Sequence, residues 1–204
     1  MDATELLLRD HARTHSLAVG QPEGGISIAD VVVSGLDDDQ IRCRPQAGLN
    51  SLAWLIWHMA RSEDAGVNLL VAKRPQVLDE DGWLHRLHVS VHDIASGMTD
   101  DEVSDFSAHV NIGDLMAYRE AVGRRTCEVV AALRPAALDQ EIDGSEIERA
   151  FAAGTFSQNA GWLRVFMSGK SKAFVLGHVA TGHNFMHLGE AWAIRSLLGL
   201  GLPF

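Results

Sequence analysis

Apolar positions recur at helical spacing in three long stretches of this chain. They cover about residues 49–72, 112–133 and 170–198. Pro75 follows the first stretch and Pro135 follows the second, and a proline that cannot continue a helix is typical of a helix end. The pattern therefore predicts three long amphipathic helices.

The rest of the chain is less regular. Residues 2–18 predict a first helix, which the glycine-rich stretch 19–27 interrupts before a short apolar piece at 28–36. Residues 76–99 predict mostly loop, and residues 139–168 an extended connection that could form a lid or only fill space. The runs VVV and HVSVH are too short to predict paired strands. The sequence thus indicates an all-α helical bundle.

Composition and charge narrow the function classes. The 204 residues are 47% hydrophobic, and 17 Lys+Arg against 27 Asp+Glu give a formal net charge of −10. Such a surface repels nucleic-acid backbones and anionic membranes. No apolar run approaches the roughly 18 residues that span a bilayer, and the N-terminus lacks a basic signal region. We expect one cytoplasmic domain over residues 1–204 that binds neither nucleic acid nor membrane.

Neither the cysteines nor the common catalytic motifs indicate a function for this chain. Cys43 and Cys127 form no CxxC pair, so no thiolate metal cage is available, and we interpret both as structural thiols. The chain contains no G-x-S-x-G, Walker loop, G-x-G-x-x-G or H-E-x-x-H sequence. Its ten histidines are the more informative residues.

Two histidines of the last helix lie on its apolar face. On a wheel of about 100° per residue, His183, His187 and Glu190 fall within the arc of the apolar side chains. An unpaired buried polar group costs about 1–3 kcal/mol, so these three groups need partners. Imidazoles at i and i+4 can share a metal ion, but they can also be core histidines bonded to carbonyls or to Glu190. His178 lies about 140° from His183 on this wheel, so we expect it to face solvent or a loop.

The first long helix offers a further ligand. His58 borders its apolar stripe, and Glu63 falls inside the stripe. His58 could complete a metal site, and Glu63 could orient a ligand. The alternatives are a boundary histidine and a carboxylate that pairs with Arg61 or with another helix.

A rival cluster comprises His85, His88 and His92, which would share one face of a helix. Valines alternate with polar residues in this glycine-flanked segment, so the pattern argues against a helix and against convergence of the three rings. We interpret three other histidines as surface residues: His11, His15 and His109.

The stretch RPQAGLNSLAWLIWHMARSED, together with GHNFMHLGEAWAIRSLLG near the end, resembles the DinB-like superfamily. That superfamily includes the N-terminal domains of mycothiol-dependent maleylpyruvate isomerases, and the resemblance covers about residues 36–199. Members are four-helix bundles, commonly dimeric, in which one histidine of the second helix and two of the last hold a divalent metal. The resemblance therefore implies a four-helix bundle, a homodimer and the ligands His58, His183 and His187. Zinc or nickel suits imidazole ligands without thiolates.

The resemblance leaves several functions open, since members include thiol-dependent isomerases and transferases, hydrolases and proteins of unknown activity. Our preferred hypothesis is a metal-dependent transferase or isomerase that acts on a small electrophilic molecule. It would use a low-molecular-weight thiol, such as mycothiol. Glu190 and Glu63 are then candidate catalytic residues that orient groups or transfer protons. The alternatives are a non-catalytic, metal-stabilised stress or binding protein and a metal-dependent hydrolase.

Overall fold

The computed structural model describes residues 2–22 and 24–201. Within those ranges the protein is all-α, as predicted, and its only extended pairing is an isolated bridge between Glu141 and Ser171. None of the helices found there has the length and apolar character that crossing a membrane requires.

The helices follow the predicted order. The first half of the chain contains α1 (Ala3–Thr14), α2 (Ile28–Val33), α3 (Asp38–Arg42), α4 (Leu52–Asp64), the π-helix π1 (Ala65–Val71) and α5 (Trp83–Leu87). The second half contains α6 (Asp100–His109), α7 (Ile112–Ala132), α8 (Gly144–Ala152), α9 (Leu163–Met167), α10 (Lys172–Leu176), the π-helix π2 (Gly177–Gly182) and α11 (His183–Leu197).

Four of these units form the bundle. They are α1, the continuous helix α4–π1, α7, and the continuous helix α10–π2–α11. Every residue of α4 is buried, because α4 packs against α7 on one side and α11 on the other. Helix α1 lies across from α4 and contacts α7 and π2. The predicted four-helix bundle is confirmed.

Local side chains set where the helices begin. Thr99 and Glu102 form a reciprocal capping box at the start of α6, and Ser51 caps α4 through the amide of Trp54. Helix α1 ends at Thr14, earlier than the predicted residue 18. The next backbone carbonyl, that of His15, accepts a hydrogen bond from the Ser27 hydroxyl rather than extending the helix.

Two π-helices interrupt the two long helices that flank the centre. In π2 the amide of His183 bonds to the carbonyl of His178, five residues earlier instead of four. In π1 the amide of Ala72 bonds to the carbonyl of Val67 in the same way. A helical wheel drawn at 3.6 residues per turn therefore assigns residues on the two sides of each π-helix to the wrong relative faces.

The connections that the sequence left undecided are packed structures. Residues 139–168 contain α8 and α9, and α8 packs against π1. Helix α2, in the insert after the first helix, packs against α11, where the Arg195 guanidinium donates to the carbonyls of Val32 and Ser34. The segment 139–168 thus covers the side of the bundle where π1 and π2 meet.

Candidate functional site

The structure brings His58 of α4 together with His183 and His187 of α11. One ring nitrogen from each lies within 4.8 Å of the others, and the Nε2 atoms of His58 and His183 are 3.1 Å apart. The ring centroids are separated by 4.5 to 4.9 Å. Trp54, one turn before His58, stacks on the His58 ring at 4.8 Å and limits its rotation.

Hydrogen bonds behind two of these rings determine which nitrogen carries the proton. His58 faces the carbonyl oxygen of Ile94 with Nδ1, so Nδ1 must be the N–H donor and Nε2 carries a lone pair. His187 donates from Nδ1 to the Glu190 carboxylate at 2.8 Å. Glu190 in turn accepts from the Asn50 amide at 2.9 Å. Such outer partners are the usual means of aiming imidazole lone pairs at a metal.

Burial keeps the rings of His58 and His183 neutral. It lowers the pKa of His58 to about 4 and that of His183 to about 2, where the neighbouring histidines add to the effect. The hydrogen bond from His187 lowers the pKa of Glu190, which stays ionised. Neutral imidazoles with lone pairs directed at a common point suit a divalent cation. The donor set therefore fits the metal that such a cluster would hold.

A cavity of about 250 Å³ opens beside the three histidines. Its walls are mostly apolar side chains from α9, π2 and the connecting segments, and no described Asp or Glu lines it. Three ligands next to an open cavity are typical of catalytic rather than structural metal sites, which are closed by four protein ligands.

His178 lies nearer to this site than expected. It lines the same cavity, is half-buried, and its ring lies 5.5 Å from that of His183. The expectation that it faces away is wrong, because the wheel assumed an uninterrupted α-helix. The intervening π2 brings residues five apart, such as His178 and His183, onto one face.

Glu63 is not part of this cluster. Its fully buried carboxylate accepts hydrogen bonds from the Nε2 atoms of His11 and His15, each at 2.8 Å. Thr126 donates to it at 2.7 Å and Asn184 at 2.8 Å. The expectation that His11 and His15 are surface residues is also wrong, since they lie on the face of α1 that packs into the bundle. Glu63 therefore ties α1, α7 and α11 to α4 instead of adjoining the three histidines.

The two histidine clusters differ in their hydrogen-bond chemistry. Every contact of Glu63 joins an N–H or O–H donor to a carboxylate oxygen, so the carboxylate itself is satisfied without a cation. At the other cluster, the His58 Nε2 lone pair faces a second ring nitrogen, and no carboxylate lies between them. Of the two, the cluster of His58, His183 and His187 is the better candidate for a metal.

The charge of the Glu63 cluster makes stability depend on pH. Although burial alone lowers the pKa of His11, the Glu63 carboxylate outweighs it and raises that pKa from 6.5 to about 9. Burial lowers the pKa of His15 to about 3, so His15 stays neutral. A raised folded-state pKa stabilises the protein below pH 6.5, and this contribution is lost as pH rises toward 9.

We therefore expect the free energy of unfolding to fall between pH 6.5 and 9 with a slope of up to about 1.4 kcal/mol per pH unit. Urea denaturation across this range measures the slope. His11→Gln should remove most of it, whereas His109→Gln, at an exposed position, should leave it unchanged. The same slope in both variants would show that His11 does not carry the proton.

The other candidates from the sequence do not converge. Within the described ranges, His85, His88 and His92 form no group of neighbouring ligand atoms, and His92 bonds to Asp79 instead. Cys43 is exposed and belongs to neither group of neighbouring ligand atoms. Cys127 is half-buried, with its Sγ 3.7 Å from Nδ1 of His11. Both thiols are free.

Comparisons with known proteins agree with this fold. A family model described as the DinB superfamily matches residues 27–191, a span that includes all three clustered histidines. A crystal structure described as the conserved protein of a locus from Enterococcus faecalis has a similar fold, with a TM-score of 0.65 at 17% identity. That similarity covers 97% of this chain and 95% of the other. No curated protein matches the sequence.

Proposed function

The chain belongs to the DinB superfamily, and we propose that it binds one divalent metal ion through His58, His183 and His187. We further propose that it is an enzyme that acts on a small molecule. The observation that supports this most is the geometry of the ring nitrogens, of which one from each histidine lies within 4.8 Å of the others beside an open cavity. Zinc or nickel is the proposed metal, because the ligand set is three imidazoles.

The residues of the site have separate roles in this proposal. Trp54 and the Ile94 carbonyl fix the orientation of His58, and Glu190 fixes that of His187. Glu190 is a positioning residue, since His187 and Asn50 occupy its carboxylate oxygens. Glu63 holds Asn184, and thereby the start of α11, in register with α4.

The cavity favours a thiol over water as the nucleophile. A bound divalent cation supplies a positive charge that lowers the pKa of a thiol or water in its open position. A thiol has an ordinary pKa of about 8.5 and needs little further help, whereas hydrolysis usually relies on a general base. The described lining of the cavity contains no carboxylate to act as that base, and burial lowers the pKa of its one imidazole outside the cluster, His178, which makes that ring a weaker base. We therefore propose a thiol-dependent transferase or isomerase that acts on a small electrophile.

The test is thiol-dependent conversion of an electrophile. Zinc- or nickel-loaded protein is incubated with mycothiol and a panel of electrophiles that includes maleylpyruvate and 1-chloro-2,4-dinitrobenzene. We expect thiol-dependent conversion of an electrophile that the metal-free protein and His187→Ala do not show: a transferase consumes the thiol as it forms the thioether, whereas an isomerase regenerates it. Product formation without thiol would favour the hydrolase. Equal rates with and without metal across the panel would favour a non-catalytic metal protein.

Glu190→Gln tests the positioning role. The variant keeps the size of the side chain but loses the charge that holds the Nδ1 proton of His187. We expect metal affinity to fall about 10- to 100-fold, the usual effect of losing an outer partner. Competition with a chelator measures it. Glu148→Gln, which alters an exposed carboxylate paired with Arg164, should retain full affinity, and equal losses in both variants would refute the role.

A further inference from the structure

We propose that the cavity beside the three histidines selects a small molecule with a compact, ring-sized apolar body and a polar head, and that the hydroxyl of Ser62 binds this head. The proposal deepens the proposed function and rests on it only where the head also reaches a bound metal. It assigns a substrate class and one further binding residue.

The walls of the cavity support the apolar body. Five side chains of the segment 156–167 line the cavity together with the three histidines, and all are aromatic or aliphatic: Phe156, Trp162, Leu163, Phe166 and Met167. Val179 and Ile94 add to the apolar lining, and no described lysine, arginine or carboxylate faces the cavity. A charged or strongly hydrated body would lose its hydration there without compensation.

The volume sets the size of the ligand. The cavity measures about 250 Å³, and an apolar cavity of about 150 Å³ is known to hold benzene. One six-membered ring with a head of a few atoms therefore fits. Trp162 and Met186 are 57% and 59% exposed at the edge of the cavity, so the entrance is also apolar.

Ser62 supplies an unused polar atom inside this apolar lining. It is 8% exposed, lies one helical turn after His58 on α4, and lines the cavity. Its Oγ has no hydrogen-bond partner within the described residues. A buried hydroxyl without a partner is unfavourable, and its position near the histidines matches where the head of a ligand would lie.

The experiment uses two pairs of probes that differ in the apolar body alone. Benzohydroxamate and acetohydroxamate share a metal-binding head and are titrated into zinc-loaded protein. Benzyl alcohol and ethanol share a hydroxyl head and are titrated into metal-free protein, with binding followed by NMR. Calorimetry gives the affinities in the first pair, and the zinc content of each variant is measured in parallel.

Three variants separate the wall from the head. Phe166→Ala removes part of the wall. Its control, Val165→Ala, alters the preceding residue of α9, which is 82% exposed and does not line the cavity. Ser62→Ala removes the hydroxyl. We expect at least about tenfold tighter binding of the ring-bearing probe in each pair, because the ring is buried on binding. Phe166→Ala should lower that preference, and Val165→Ala should retain it. Ser62→Ala should weaken both members of each pair about 2- to 10-fold and leave the preference intact.

Equal affinities within both probe pairs would overturn the proposed substrate class. Unchanged affinities in Ser62→Ala would overturn the role of Ser62. Failure of the metal proposal has a different signature: zinc content at background and no hydroxamate binding. In that case the metal-free pair still decides whether the cavity selects a ring.

Discussion

Replacing His187 with alanine is expected to reduce the zinc or nickel content of the protein from one equivalent to background. The variant removes one of three ligands and also leaves the Glu190 carboxylate without its imidazole partner. Two remaining imidazoles hold zinc weakly, because protein sites for this metal require at least three side-chain ligands. Metal analysis after dialysis against a mild chelator measures the loss. His58→Ala and His183→Ala should behave in the same way.

Two control variants make the result specific. His85→Ala alters an exposed histidine in α5, and His178→Ala alters a histidine of the cavity that is not among the clustered ligands. Both should retain one equivalent of metal. Retention of metal by His187→Ala, with an unchanged circular-dichroism spectrum, would exclude this residue as a ligand.

The largest expected loss of stability follows replacement of Asp64 with alanine. This carboxylate is fully buried and accepts from Arg61 at 3.1 Å and from the Tyr118 hydroxyl at 2.7 Å. It also accepts from the backbone amides of Val77 and Leu78. Burial raises the pKa of Tyr118 well above 10, so the phenol remains a donor. The Asn68 amide donates to Asp64 as well, at 2.7 Å. Removing the acceptor leaves the buried Arg61 without its counter-charge and takes an acceptor from four further donors.

The free energy of unfolding should fall by about 3–5 kcal/mol in Asp64→Ala, which is the usual cost of removing one partner of a buried ion pair. Urea denaturation gives this value. Asp64→Asn, which keeps one acceptor oxygen, should lose less and serves as the measurable variant if the alanine form does not fold. Asp114→Ala breaks an ion pair with the exposed Arg86 and should cost about 1 kcal/mol or less. A similar small loss in Asp64→Ala would show that the network contributes little.

The long helices could be predicted because local sequence determines them. The apolar spacing of residues 112–132 gives α7 almost to the residue, and the caps at Ser51 and Thr99 are recognisable from one side chain and its neighbours. The pairing of His183 with His187 follows from their spacing. Their meeting with His58 was implied by family resemblance, and the bundle does bring the three rings together.

The π-helices could not be predicted, because no residue pattern distinguishes a π turn from an α turn in one sequence. His178 was therefore assigned to the wrong face. The buried partners of Glu63 were missed for another reason: the contact between α1 and α4 is tertiary, so its polar groups look like surface residues in sequence. The spacing of His11 and His15, four residues apart like His183 and His187, was the one available signal.

Diffraction from crystals of the zinc-loaded protein, recorded at the zinc absorption edge, locates the metal directly in an anomalous difference map. We predict one peak bonded to a ring nitrogen of each of His58, His183 and His187, at about 2.0–2.1 Å. A peak between His11, His15 and Glu63, with none at the three histidines, would contradict this prediction.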